Sequence, residues 1–76
     1  MQTDHLTNAE IEQGIQETAA ALIAKRQHVE FLAQGRVPPE DPLVRNQMIE
    51  SHDKAIAKLE QDMEDLLAAR AKRQPA

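Results

Sequence analysis

The segment Gly35-Arg36-Val37-Pro38-Pro39-Glu40-Asp41-Pro42 sets what the chain can become. It holds three of the 4 prolines and one of the 2 glycines. Glycine closes a helix by entering the left-handed region that other residues avoid. Proline cannot continue a helix but is well placed in the first turn of a new one. One helix is therefore expected to stop at Gly35 and another to begin with Asp41 as N-cap and Pro42 inside it. The chain reverses direction here.

The first helix has a clear start. Thr7 and Glu10 stand in the spacing of a capping box, and Leu6 and Ile11 in that of a hydrophobic staple. An exposed Thr7 awaiting phosphorylation is the functional alternative. From there the seam positions step by four and three: Ile11, Ile15, Thr18, Leu22, Lys25, Val29, Leu32. Ala19, Ile23, Arg26 and Ala33 flank them. The second seam reads Arg45, Ile49, His52, Ile56, Leu59, Met63, Leu66, Arg70, widened by Leu43, Val44, Met48, Ala55 and Leu67. Steps of four and three are the signature of a coiled-coil stripe. Gly14, beside the first seam, is read as tolerated rather than as a site of close helix approach.

These signals give an all-α fold, an antiparallel helical hairpin of two long helices and a short Pro-rich turn. The expected layout is a single domain over 1–76: loose leader 1–6, helix 7–34, turn 35–41, helix 42–73, tail 74–76. Folded about Pro38, the seams pair Ile11 with Leu66, Ile15 with Met63, Thr18 with Leu59 and Leu22 with Ile56. Lys25 then meets His52, Val29 meets Ile49 and Leu32 meets Arg45. Phe31, Val37, Leu43 and Val44 are expected to plug the turn end.

A hairpin covers only one strip of each helix, and 76 residues are few for a self-sufficient core. A second copy is the economical cover, giving a four-helix-bundle-like homodimer or a higher symmetric oligomer. The expected oligomer interface comprises Ile11, Ile15, Ala19, Leu22, Ile23, Val29, Leu32, Met48, Ile49, Ile56, Leu59, Met63, Leu66 and Leu67. Ala20, Ala24, Ala68 and Ala69, with Ala19 and Ala55, allow close helix contacts across it. In outline this resembles the Rop-type hairpin dimer, a four-helix bundle that binds RNA. The resemblance is to the topology of helix, short turn and helix with heptads, and no residue is carried over from it.

Catalysis finds no support. Ser51-His52-Asp53 has the residue types of a hydrolase triad, but successive helical side chains diverge by about 100° and cannot align. The chain has no cysteine, hence no disulfide, thiolate ligand or thiol nucleophile. Metal binding is not expected either: Glu60 and Glu64 share a face, but no inward Glu-x-x-His pattern accompanies them. No cofactor is expected.

With aromatic content at 1% and net charge -4, base-stacking platforms and attraction to phosphate backbones or anionic membranes are both disfavoured. No apolar run approaches the ~20 residues that span a bilayer, and no secretory signal opens the chain, so a cytoplasmic location is expected. Before Lys25 stand Asp4, Glu10, Glu12 and Glu17 without a lysine or arginine. Glu60, Asp62, Glu64 and Asp65 come to the same open end. They suggest an acidic patch that docks on a basic protein surface, steered by charge. The function expected is a small non-enzymatic protein–protein interaction module. It would be an adaptor or inhibitor, of the kind found among phage and mobile-element accessory proteins acting on host machinery. The alternative is a binder of nucleic acid or an anionic nucleotide through Lys25, Arg26 and Arg45 at the cationic turn end of a Rop-like bundle. The basic C-terminal residues Arg70, Lys72 and Arg73 offer phosphates a lesser contact. The Lys25/His52 polar layer either fixes register or senses pH, because protonating His52 sets two cations side by side.

Overall fold

The computed structural model describes residues 2–74. Two helices, α1 (Asn8–Ala33) and α2 (Pro42–Arg73), pack against each other as a hairpin, and the described residues contain no strand. Each terminus follows from its capping chemistry. Thr7 takes extended backbone angles and its hydroxyl accepts from the Glu10 N–H at 3.1 Å. The Glu10 carboxylate in turn accepts from the Thr7 N–H at 2.9 Å. Two orphan donors of α1 are thereby satisfied. At the other end Gln34 is the C-cap and Gly35 has φ +73. The Gly35 N–H reaches Leu32 O and the Arg36 N–H reaches Phe31 O, at 3.1 and 3.0 Å, which together form a Schellman motif. Asp41 then opens α2, its carboxylate accepting from the N–H groups of Leu43 and Val44, while Pro42 occupies the position where a missing N–H costs nothing.

The core is a thin line between the helices. Ile11, Leu32 and Leu66 are fully buried, and Leu22, Ala69 and Thr18 nearly so. Ile11, Leu66 and Ala69 form one cluster at the open end, with Leu6 and Ile15 packed on it.

Three local expectations need correction. Gly14 is a point of close approach: a Cβ there would lie 3.3 Å from both δ methyls of Leu66. The leader is tied down. Arg73 donates to the carbonyls of Thr3, at 3.0 Å, and of Leu6, and to the Asn8 side chain at 3.3 Å. Thr3 O also receives the Leu6 N–H. A guanidinium suits this task because its several donors point in fixed, forked directions. Finally, Leu43 and Val44 do not plug the turn. They are 68% and 42% exposed, because the first turn of α2 points them away from the seam, while Phe31 and Val37 are half-buried.

Candidate interaction surface

Helical geometry divides the hairpin into two unlike faces. Residues seven apart fall on nearly the same line of a helix, and in an antiparallel pair the ridge just past the seam lies on the same side for both helices. On one side these ridges carry Ile15, Leu22 and Val29 from α1 and Ile49, Ile56 and Met63 from α2. On the other they carry Gly14, Ala21 and His28 against Met48, Ala55, Asp62 and Ala69. One face is aliphatic along its length, and the other is small and polar with a single large apolar residue.

Of the six aliphatics only Leu22 is buried, and the remaining five stay partly exposed. Two ion pairs cross the hairpin on the outer edge of this face, Arg26 to Glu60 and Arg70 to Glu12, each at 3.6 Å. Both involve exposed side chains and are worth a fraction of a kcal/mol, roughly 0–1, so they orient the helices more than they hold them together. Of the interface residues expected from sequence, Ile11, Leu32 and Leu66 are consumed by the hairpin itself. Ala19, Met48 and Leu59 are half-buried. Leu67, 39% exposed, edges the aliphatic face, and Ile23, 67% exposed, points away from the seam.

The acidic residues do not converge. Glu60 and Glu64 share one side of α2, and Asp62 and Asp65 share another. Glu60 pairs with Arg26, Asp62 with Lys58 at 2.7 Å, and Asp65 accepts from the Gln61 amide at 3.1 Å. Glu64 is exposed. The Asp62 carboxylate also holds the Lys58 ammonium above its ordinary pKa.

Nor do the turn-end cations form a cradle. Arg45 braces the turn, donating from Nε to Pro39 O at 3.4 Å and from Nη2 to Glu40 O at 2.9 Å. Arg26 is engaged with Glu60, and Lys25 lies half-buried near His52.

The polar layer is larger than its two expected members. His28 sets its ring edge-on to His52, with centroids 5.0 Å apart and planes at 75°. Partial burial, then the Lys25 ammonium, then His28 push the His52 pKa below its ordinary value, and Asp53 opposes them weakly. His28 and Gly14 escape a strict seam reading because both lie one position off the heptad, on the small-residue side. Their common signal is side-chain lean: each helical Cβ tilts toward its own N-terminus, so facing partners are offset by a few residues.

Among the described residues no group of three or more His, Asp or Glu is placed to hold a metal ion, and no helix is long and apolar enough to cross a membrane. No family model matches the chain, and neither the curated proteins nor the solved structures yield a match.

Proposed function

We propose that this protein is a small non-enzymatic protein–protein interaction module, an adaptor or inhibitor, that completes its core by pairing into a four-helix-bundle-like homodimer. The observation that carries the proposal is surplus surface. The hairpin exposes 5532 Å², whereas a compact monomer of this size exposes roughly 4,650 Å². Its radius of gyration is 15.9 Å, against about 11.4 Å for a compact chain of equal length. The excess area, about 900 Å², is close to the ~800 Å² that each partner contributes to a standard stable interface. Leu67 at 39% exposed, together with the partly exposed Ile15, Val29, Ile49, Ile56 and Met63, contributes apolar area whose removal from water is favourable. Once the apolar stripe is covered, Ile23, Leu43 and Val44 remain exposed, and acids gather toward the open end. That surface suits a protein partner of basic character reached by electrostatic steering.

The first test is native mass spectrometry across a concentration series, with sedimentation as a check. A dimer with micromolar or tighter affinity is expected. A chain that stays monomeric and fully helical at high concentration overturns the self-pairing. For the wider function, a basic protein partner should bind and should lose affinity as salt rises.

A further inference from the structure

We infer that the second copy seats on one particular face of the hairpin, the aliphatic face of Ile15, Leu22, Val29, Ile49, Ile56 and Met63. The opposite face, with His28, Ala55 and Asp62, stays open to solvent or to another partner. The inference rests on the self-pairing proposed above and adds which surface performs it.

Apolar content selects the face, and its length and border suit a second copy. Five of its six large aliphatics keep part of their surface exposed within one chain, whereas the opposite ridges offer Met48 alone among large apolar side chains. The stripe from Ile15 to Val29 runs about 21 Å along α1 at 1.5 Å per residue, long enough to carry a standard interface footprint. Its borders also hold both signs of charge, Glu12 and Arg26 on α1 and Asp53 and Glu60 on α2. A border of mixed sign can complement itself when two copies meet, whereas a border of one sign would repel its own copy. The other face keeps the Asp62–Lys58 pair and the histidine contact, polar groups whose burial against a second copy would need new partners.

A matched pair of single-cysteine variants of the full chain tests this. Ala19→Cys and Ala24→Cys sit on the same helix, each about 100° from the seam but on opposite sides. The chain has no cysteine of its own, so each thiol is a unique probe. Maleimide labelling rates are measured from dilute to concentrated protein, with the mass recorded in parallel. The expected result is a dimer in which labelling of the Ala19→Cys thiol slows at least tenfold while that of Ala24→Cys is unchanged. A dimer that protects Ala24→Cys instead, or protects both thiols equally, overturns the choice of face and leaves the self-pairing intact. A monomer at every concentration overturns both. Leu67→Glu, at the rim and already partly exposed, is the second probe: it should weaken the dimer at least tenfold while far-ultraviolet circular dichroism stays helical. A dimer unaffected by that charge counts against the assigned face.

Discussion

Gly14 of α1 and Leu66 of α2 meet across the hairpin so closely that a further carbon at Gly14 would require Leu66 to shift. A Cβ at Gly14 would stand 3.3 Å from both Leu66 δ methyls, and Leu66 is itself 1% exposed among Ile11 and Ala69. Helix propensity alone argues for Gly14→Ala, by about 1 kcal/mol. Packing argues against it, because an overfilled core costs ~1–3 kcal/mol when neighbours cannot yield. Leu66 is closed in, so packing should win. We expect Gly14→Ala to lower stability by up to about 2 kcal/mol, measured by urea unfolding followed by circular dichroism. In a Leu66→Val background the same change should cost less or turn favourable. A stabilised single variant would mean that the two helices separate freely at this point.

How far the sequence discloses the fold is visible in this pair. The proline-rich reversal, both N-caps, the glycine C-cap and the seams all rest on short-range chemistry, which a linear reading captures. Whether Gly14 is idle or in tight contact depends on how closely two distant segments approach, and neither segment encodes that alone. Arg73 teaches the same lesson over a longer distance. From sequence it is one of three basic C-terminal residues open to phosphates, yet its guanidinium serves backbone carbonyls some 70 residues away. The candidate site was legible in its aliphatic content but not in its sidedness. That emerges only when the ridges of both helices are laid on one surface. The four acids of α2, neighbours in sequence, divide between two sides of the helix, Glu60 with Glu64 and Asp62 with Asp65.

The Arg73 clamp gives a second prediction. Arg73→Ala removes donors to Thr3 and Leu6 and should free the lead-in while both helices persist. Hydrogen exchange should show the Leu6 amide losing protection, with little change at Leu22 or Ile56. Arg73→Lys should rescue only part of the protection, since a single ammonium cannot reproduce the fork. Unaltered exchange at Leu6 would mean the lead-in is held by Leu6 packing on Ile11 and Leu66 rather than by Arg73.

At the turn, Gly35 holds φ +73 within the Schellman motif. Gly35→Ala should cost about 1–2 kcal/mol, the strain of a left-handed alanine. Space does not interfere, since the nearest group to an added Cβ is the Arg45 guanidinium at 4.0 Å. The loss should therefore be conformational and equal in monomer and dimer. A loss that depends on protein concentration would trace it to assembly instead.

The histidine layer makes stability depend on pH with a definite sign. His52 in the folded chain has a pKa below its unfolded value, through partial burial, Lys25 and His28, against a small opposing effect of Asp53. Between those two pKa values the unfolded chain binds more protons, so stability rises with pH across the interval. The contribution is therefore complete above the unfolded value of about 6.5. It is lost as pH falls from there through the folded pKa. Thermal unfolding at pH 7.5, 6.5 and 5.5 should show a declining midpoint. His52→Gln should flatten that decline while retaining a polar side chain in the layer. Lys25→Gln should flatten it only in part, because His28 and burial remain. A decline that His52→Gln leaves unchanged would assign the acid sensitivity to other groups and reduce the layer to fixing register.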